Sequence, residues 1–348
     1  MYFSTAIPRS ESLRVLFVSS MVNLSELLGL RPDLARPHVK KIYYFHENQL
    51  TYPYQVPTTD GESTERKAKR RKVAAEDFQI TWSQIISCLA ADELLFNSDF
   101  NRTSFLSRID VFINKIPEPE MRHRGLAKQL ESKSRVLYFP LKMLRVPDAT
   151  RIDKPSNLVT ILWNHRWEYD KNPDEFFETL CELATGGSKF QVIVLGESFP
   201  ESPAVFRTAK ETLEASEHVK IAHWGYASSR EQYLDFLRLA DVVVSTSNHE
   251  FYGVAVLEAV LCGCYPLVPN RLVYPEFFSG ANVFNTQRQL FKKLKYFCGN
   301  PIPARRFAQE HGDEFIKFTW QSLESEYAAL LVPSSTDNET TIPRRRLD

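Results

Sequence analysis

No apolar run in this 348-residue sequence approaches the roughly 20 residues that a membrane-spanning helix needs, and no basic-then-apolar leader opens the chain. These absences favour a cytoplasmic protein, also compatible with the nucleus, that contacts no membrane. No G-x-G-x-x-G motif follows a predicted strand, which disfavours a nicotinamide-dependent dehydrogenase. No Asp-x-Asp pair is present, so the sequence offers no carboxylate pair typical of a bound divalent ion.

The sequence also lacks an excess of charge of either sign. Its 43 Lys and Arg residues balance 43 Asp and Glu residues, so no overall field draws the chain to nucleic acid, and any RNA contact must be local. Its five cysteines are an odd number inside apolar runs, which fits buried thiols better than disulfides. Cys262 and Cys264 have no second Cys or His pair at ligand spacing, so we expect no metal.

Short β-branched or aromatic runs alternate with segments of helical period, which predicts two α/β domains with parallel sheets. The predicted strands are Val15–Ser20, Lys41–His46, Glu93–Asn97, Arg135–Phe139, Leu158–Asn164, Gln191–Gly196, Lys220–Trp224, Asp241–Thr246 and Tyr265–Pro269. The predicted helices are Asn23–Gly29, Asp77–Ala91, Asp99–Arg108, Pro173–Ala184, Ala204–Ala215, Arg230–Leu239 and Gly253–Cys262, with a last amphipathic helix near Asp313–Leu331.

Proline and charge patterns divide the chain. Residues 141–155 lack periodicity and predict a hinge between domains at 1–140 and 156–331. Composition predicts disorder at 57–76, a basic insertion, and in the tail at 332–348. The run ERKAKRRK at 65–72 is either a patch for an RNA backbone, a solvated linker or a nuclear-import signal.

The sharpest motif places two carboxylates, Glu250 and Glu258, eight residues apart after the strand Asp241–Thr246 and at the start of a helix. Both can then face a ligand at the strand's carboxyl end, where Gly253 permits close backbone approach and free N–H groups suit a diphosphate. The alternative is that Glu250 only caps the helix and Glu258 is solvated.

A second motif follows the strand Leu158–Asn164. Arg166 and Lys171, five residues apart in a strand-to-helix loop, can clamp the two phosphates of a sugar nucleotide without a metal. A salt-bridged surface turn is the alternative.

A third motif ends the strand Lys41–His46 with four polar residues, His46, Glu47, Asn48 and Gln49. A parallel sheet presents its ligands at this end, so His46 can contact a donor sugar or orient an acceptor hydroxyl. A structural role is equally compatible with the pattern.

The spacings Arg166-x4-Lys171 and Glu250-x7-Glu258 resemble the retaining GT-B enzymes of glycosyltransferase family 4. The resemblance implies two Rossmann-like, doubly wound domains that face a central cleft, with the nucleotide sugar on the second domain. It assigns Arg166 and Lys171 to the diphosphate, Glu250 to the donor sugar and Glu258 to the ribose. His46 corresponds to a histidine near the acceptor.

The residues between the two carboxylates complete the expected donor site. Phe251, Tyr252, Gly253 and Val254 join Glu250 to the helix and are predicted donor contacts. Arg166, Lys171, Glu250 and His46 are the expected catalytic residues, while Glu47, Asn48 and Gln49 are expected on the acceptor side.

A closer resemblance covers nearly the whole chain. The stretches YYFHENQLTYP, QIISCLAADELLFNS, WNHRWEYDKNP, HWGY and STSNHEFYGVAVLEAVLCGCYPLVPNRLVYPE are similar to the tRNA-queuosine α-mannosyltransferase family. That resemblance implies a hexosyltransferase that moves mannose from GDP-mannose to queuosine in the anticodon of cytosolic tRNA-Asp. It implies no cofactor, no metal and no obligate protein partner.

The N-terminus departs from that family, whose members begin with a strand and a Gly-Gly-containing loop. This chain has only Gly29 and Gly61 before residue 125, so we expect an N-terminal domain without its first strand-loop unit. Two alternatives therefore stay open: a catalytically silent protein that binds a nucleotide sugar or tRNA, and a GT-B transferase with another acceptor.

Overall fold

A computed structural model describes residues 2–51, 78–142, 158–197 and 202–332 of the chain. The chain forms two compact units, one made of Met1–Asn97, Asn101–Tyr138 and Gln321–Asp348, the other of Ser98–Phe100 and Phe139–Trp320. The predicted insertion at 57–76, the hinge at 141–155 and the tail at 332–348 lie outside the described residues, apart from 141–142 and 332. The domain boundaries stay a prediction.

The first unit is built on a parallel sheet of four strands that pair in chain order. The strands are β1 (Val15–Ser19), β2 (Lys40–Phe45), β3 (Glu93–Phe96) and β4 (Ser134–Val136). The helices that precede or connect them are α1 (Tyr2–Ala6), α2 (Leu24–Leu30), α3 (residues 78–90), α4 (Asp99–Ile113) and α5 (Leu126–Glu131).

The centre of that sheet is aromatic and covered on both faces. Five of the six residues of β2 are buried, as expected for a strand between two helical layers. Phe45 stacks on Phe96 of β3 with ring centroids 4.2 Å apart. Tyr43 buries its ring and donates its hydroxyl to the carbonyl oxygens of Ser20, at 3.0 Å, and Val22, at 3.1 Å. These bonds fix the turn that follows β1.

The second unit contains a parallel sheet of six strands in the order β10-β9-β8-β5-β6-β7. They are β5 (Val159–Trp163), β6 (Phe190–Leu195), β7 (Val219–Gly225), β8 (Val242–Val244), β9 (Tyr265–Pro269) and β10 (Val283–Phe284). The chain moves outward from β5 to β7, then returns to the other side of β5 with β8. The strand order therefore reverses between β5 and β8, and in doubly wound sheets ligands bind at this reversal.

Seven helices belong to the second unit, and an eighth follows it. They are α6 (Pro173–Thr185), α7 (Val205–Glu214), α8 (Arg230–Leu239), α9 (Val254–Leu261), α10 (Tyr274–Phe277), α11 (Gln287–Gly299), α12 (Ile302–His311) and then α13 (Trp320–Leu331), which lies in the first unit from Gln321 onward. Side chains cap two of them, since Ser229 accepts the N–H of Gln232 in α8 and Thr286 accepts that of Gln289 in α11. Among the described helices, none has the length and apolar character needed to cross a membrane.

All nine predicted strands are present, and the structure adds β10 and the helices α1, α5, α10, α11 and α12. Helix α4 ends at Ile113 rather than at Arg108. The single helix predicted near Asp313–Leu331 is wrong, because a 3-10 segment, Gly312–Phe318, precedes α13. Thr319 separates them in extended conformation and donates its hydroxyl to the carbonyl of Ile316.

A buried carboxylate anchors the start of β8 to β5. Asp241 is fully buried and accepts the N–H of Thr160 at 2.9 Å and the guanidinium of Arg305 at 3.0 Å. Arg305 also donates to the carbonyl of Leu158 at 2.8 Å. The carboxylate therefore connects two neighbouring strands and α12.

We expect Asp241→Asn to lower the free energy of unfolding by about 3 kcal/mol, because it removes the buried negative charge that pairs with the guanidinium of Arg305. Urea unfolding followed by tryptophan fluorescence measures the change. The matched control is Asp235→Asn, which removes an exposed ion pair with Arg238 and should change stability by less than about 0.5 kcal/mol. Equal effects of the two substitutions would contradict this role for Asp241.

Candidate functional site

The reversal between β5 and β8 brings together two of the predicted motifs. β5 ends at Trp163 and is followed by the loop 164–172, while β8 ends at Val244 and is followed by the loop 245–253. Because the two strands are parallel neighbours, both loops leave the sheet at the same edge. We call this region the switch-point site.

Hydrogen bonds brace the two loops against each other. The Thr246 hydroxyl donates to the carbonyl oxygens of Lys171, at 3.0 Å, and Asn172, at 2.8 Å. The N–H of Asn248 donates to the carbonyl of Asp170 at 2.8 Å. The braced backbone holds the side chains of both loops in fixed relative positions.

The centre of the switch-point site is an ion pair between Lys171 and Glu250. The Lys171 Nζ atom lies 3.3 Å from Glu250 Oε2 and 3.3 Å from Asp170 Oδ2, and it donates to the carbonyl of His249 at 3.0 Å. The structure therefore joins two residues predicted from separate motifs, 79 positions apart in the chain.

Glu250 has a second set of partners in its own loop. Its Oε1 atom accepts the N–H of Gly253 at 2.9 Å and that of Tyr252 at 3.4 Å. Burial opposes ionisation of the carboxyl group, but the Lys171 cation and these N–H donors outweigh it and lower the pKa of Glu250. The residue thus combines the helix-capping role, considered as an alternative, with the predicted position beside Lys171.

Lys171 is held in its charged form. Burial alone would lower the pKa of this amine, but the carboxylates of Glu250 and Asp170 outweigh burial and raise the pKa above its ordinary value. The side chain is only 11% exposed. The site therefore holds one fixed, poorly hydrated cation, whose three donors face Glu250, Asp170 and the carbonyl of His249.

Arg166 lies in the same loop but outside this cluster. Its guanidinium is 57% exposed and pairs with Glu168 at 3.0 Å. This is the surface ion pair considered as the alternative for the motif, and such pairs contribute little to stability. Arg166 is thus free to exchange Glu168 for another anion.

Glu258 lies inside α9 and is paired rather than solvated. Its Oε2 atom accepts the Tyr233 hydroxyl at 2.9 Å, and its Oε1 atom accepts the guanidinium of Arg230. Both partners belong to α8. Asn164 donates to the Tyr233 oxygen at 3.3 Å and to the carbonyl of Ala255 at 2.7 Å, which ties the end of β5 to this cluster.

The four residues predicted between the two carboxylates differ in accessibility. Phe251 and Tyr252 are buried, and the Tyr252 hydroxyl donates to the carbonyl of Phe139 at 2.8 Å. Gly253 has a left-handed backbone with φ of 80°, which favours glycine. Val254 is 37% exposed and begins α9, whose first N–H groups have no partner within the helix. This segment is therefore better suited to contact a ligand through its backbone than through its side chains.

The predicted acceptor-side residues lie in the first unit, after β2. His46 is exposed, with its ring against Tyr44 and its pKa lowered by partial burial. Glu47 accepts the Gln49 side-chain amide at 3.0 Å. Asn48 is fully buried, and its amide nitrogen donates to Asn101 Oδ1 at 2.8 Å, so this residue supports the loop from within.

The sequence analysis did not single out His165, which is buried beside the ion pair. Burial, followed by the nearby Lys171 cation, lowers the pKa of its imidazole to about 4, so the ring is neutral near pH 7. Its Nε2 atom is buried and has no hydrogen-bond partner within the described part of the chain. The only sequence signal was its position directly before Arg166.

Gly196 was also missed. It follows β6 with φ of 135°, and a Cβ atom at this position would collide with the carbonyl of His165. A glycine is therefore required where the loops after β5 and β6 cross. Glycine after an apolar strand was the available signal.

The switch-point site has several features that can bind an anion. It combines a buried cation, an exchangeable arginine and the N-terminal end of α9 at the carboxyl edge of a parallel sheet. Among the described residues, no group of three His, Cys, Asp or Glu side chains could hold a metal ion. Independence of metals stays a prediction.

Two family descriptions match the chain. The family described as tRNA-queuosine alpha-mannosyltransferase N-terminal matches residues 1–141, and the family described as Glycosyl transferases group 1 matches residues 148–310. The second match contains the whole switch-point site.

Two curated relatives are similar at different levels. A tRNA-queuosine alpha-mannosyltransferase of Drosophila melanogaster is 41% identical over 344 residues, which are 97% of this chain and 83% of that protein. A GDP-mannose-dependent alpha-(1-6)-phosphatidylinositol dimannoside mannosyltransferase of Mycobacterium tuberculosis is 25% identical over 169 residues, 48% of this chain and 42% of that protein.

Solved structures show the fold. A sucrose-phosphate synthase from Thermosynechococcus elongatus aligns with a TM-score of 0.62 at 14% identity and covers 91% of this chain and 72% of its own. A trehalose 6-phosphate synthase from Burkholderia multivorans aligns with a TM-score of 0.61 at 12% identity, with coverage of 91% and 71%. The predicted fold class is confirmed as the GT-B class of glycosyltransferases. The extent and identity of the match to the Drosophila protein show that the chain belongs to the tRNA-queuosine α-mannosyltransferase family.

Proposed function

We propose that this protein transfers mannose from GDP-mannose to queuosine in the anticodon of cytosolic tRNA-Asp, with retention of configuration at the sugar. The acceptor follows the name of the Drosophila relative. The donor is supported by GDP-mannose-dependent relatives that match about half of the chain or less. As part of the proposal, the protein works in the cytoplasm, and also in the nucleus, without a metal, cofactor or obligate protein partner.

The observation that carries the proposal is the buried Lys171–Glu250 pair at the switch-point site. When GDP leaves the sugar, negative charge grows on the β-phosphate, and a fixed cation in a poorly hydrated site stabilises that charge. Lys171 supplies the cation. Glu250 then accepts hydrogen bonds from sugar hydroxyls, since its carboxylate is ionised and held by Lys171 and Gly253.

Arg166 supplies the second cation of the phosphate clamp. Its pairing with Glu168 is solvent-exposed and costs little to break. A guanidinium can donate two parallel hydrogen bonds to two phosphate oxygens at once. We therefore propose that Arg166 leaves Glu168 when the donor binds.

Glu258 holds the ribose hydroxyls in this scheme. An ionised carboxylate has about four lone-pair sites, of which Arg230 and Tyr233 occupy two. Room remains for a hydroxyl donor without expelling either partner. The N–H groups at the start of α9, from Val254 onward, donate to the phosphates, while those of Tyr252 and Gly253 hold Glu250.

The transfer step requires no protein nucleophile. The acceptor hydroxyl attacks the anomeric carbon from the face that the diphosphate leaves, and its proton passes to a departing phosphate oxygen. The new C–O bond thus has the same configuration as the old one. Lys171 and Arg166 balance the charge of GDP, while His46 in the first unit contacts the acceptor.

The direct test is incubation of the chain with queuosine-containing tRNA and GDP-mannose, followed by nucleoside mass spectrometry. We expect the mass of queuosine to increase by one hexose, with no change when UDP-glucose replaces the donor. GDP-mannose binding without any hexose on the tRNA would replace the proposal with a silent nucleotide-sugar-binding protein.

We expect Lys171→Ala and Arg166→Ala each to lower kcat/KM by about 10²–10³-fold, the usual cost of removing an electrostatic stabiliser of the transition state. Initial rates of transfer from labelled GDP-mannose measure the loss. Lys210→Ala is the control, because Lys210 only forms an exposed pair with Glu214 on α7. A loss below about threefold at Lys171 would remove it from the phosphate site.

The depressed pKa of His165 predicts acid sensitivity. Its folded-state pKa of about 4 lies below the ordinary 6.5, so the unfolded chain binds the proton more readily, and stability falls as the pH drops from 6.5 toward 4. Between about pH 7.5 and pH 4.5, we expect the free energy of unfolding of the His165→Gln variant to fall by roughly 2–3 kcal/mol less than that of the wild type. Urea unfolding at both pH values measures it, and parallel losses in variant and wild type would refute the assignment.

A further inference from the structure

A cavity of about 300 Å³ lies within the first unit, where β1 and β2 end beside α3. This volume is at the lower end of the range for small-molecule sites, about 300–1,000 Å³. It suits one compact, flat molecule rather than an oligomer. The predicted acceptor-side residue Gln49 is part of its wall.

The wall of this cavity is mainly apolar by area and carries no charged side chain. Four of its side chains are primary amides, and the remaining ones are hydroxyl-bearing or apolar. The amides are Asn23, Gln49, Gln79 and Gln84. Such a wall offers no charged partner to a phosphate, a carboxylate or a cation. It offers hydrogen bonds to an uncharged molecule that has both donors and acceptors.

Gln84 is the most informative of these amides. It is 4% exposed, and its Oε1 atom accepts the N–H of Gln49 at 3.0 Å, which fixes the orientation of the group. Its Nε2 atom has no hydrogen-bond partner among the described residues. Because Gln84 lines the cavity, this donor remains available to a ligand that accepts from it.

Two further amides complete the recognition set. The Asn23 Oδ1 atom accepts the N–H of Glu26 at 3.0 Å as the cap of α2, which leaves its Nδ2 group as a donor. The Gln49 Nε2 atom donates to Glu47 Oε1 at 3.0 Å, which leaves its Oε1 as an acceptor. Gln84, Asn23 and Gln49 therefore keep two donor groups and one acceptor between them.

Apolar side chains supply the complementary surfaces. Met21 and Ile80 line the cavity and are 67% and 47% exposed, so water-facing apolar area adjoins the amides. Nucleobases combine apolar ring faces with a mixed donor and acceptor edge, and proteins bind unpaired bases through both. The donors of Gln84 and Asn23 and the acceptor of Gln49 offer such an edge hydrogen bonds of both kinds.

We propose that this cavity binds the nucleobase of the acceptor, with Gln84 donating to an acceptor atom on the base edge. The inference rests on the proposed function, since it gives the transferase a pocket for a base that leaves its stack. The pocket positions the base and takes no part in bond making.

The test is isothermal titration of the full chain with queuosine nucleoside, with GDP-mannose titrated separately. Gln84→Glu keeps the acceptor oxygen for Gln49 and replaces the donor with a second acceptor. We expect affinity for the nucleoside to fall at least about tenfold, with affinity for GDP-mannose unchanged. Ser83→Phe, which fills the cavity from α3 and leaves Gln84 in place, should have the same effect.

Gln289→Glu is the matched control, because Gln289 also accepts a backbone N–H, that of Asn285 at 2.7 Å, but lies in the second unit. It should leave both affinities unchanged, and thermal unfolding checks that each variant is folded. The proposal is overturned if the wild type binds no nucleoside, or if folded Gln84→Glu and Ser83→Phe proteins bind it as tightly as the wild type.

This outcome is separable from that of the transfer assay. A chain that mannosylates tRNA equally well with and without an intact cavity keeps the proposed function and loses the base pocket. A chain that binds the nucleoside through Gln84 but transfers no hexose keeps the pocket and loses the enzymatic function.

Discussion

The ion pair between Lys171 and Glu250 is the interaction on which the rest of the second unit depends. Two charges taken out of water cost several kcal/mol each unless every remaining donor and acceptor is satisfied. Asp170, the carbonyl of His249 and the N–H of Gly253 satisfy them here. The parallel pairing of β5 and β8 brings both loops to one edge, so the sheet topology is what makes this pair possible.

The pair also explains why its surroundings are rigid. A change of one ångström in either loop would weaken an attraction that offsets a large desolvation cost. Thr246 and Asn248 prevent such shifts by bonding the backbone of the opposite loop. The neutral imidazole of His165 fills the adjacent space without adding a competing positive charge. In the proposed function, a substrate phosphate therefore meets a cation that has already lost most of its water.

Much of this arrangement could be predicted from the sequence, because a strand followed by charged residues identifies the ligand edge of a parallel sheet. Lys171, Glu250 and the strands before them were found in this way. Residues whose importance comes from one tertiary neighbour were not found. His165 and Gly196 had only weak local signals, and Arg230 and Tyr233, the partners of Glu258, had none. Helix α11 was missed although its buried residues Leu290, Leu294 and Phe297 recur at helical spacing, whereas α12 buries Ala304 and Phe307 and has a weaker apolar pattern. Asn48 looked like a ligand contact, but burial against Asn101 is visible only in three dimensions.

In the proposed function, the partners of Glu258 have a consequence for turnover. Its carboxylate is already shared by Arg230 and Tyr233, so a ribose hydroxyl that joins them adds to a satisfied group instead of rescuing an orphaned one. The net gain of such a contact is small, because Glu258 keeps both of its partners when no ribose is bound. In the proposed function, a nucleoside diphosphate held on these terms would dissociate readily once the sugar has left. The pairing of Glu258 with Arg230 and Tyr233 would thus favour product release over product inhibition.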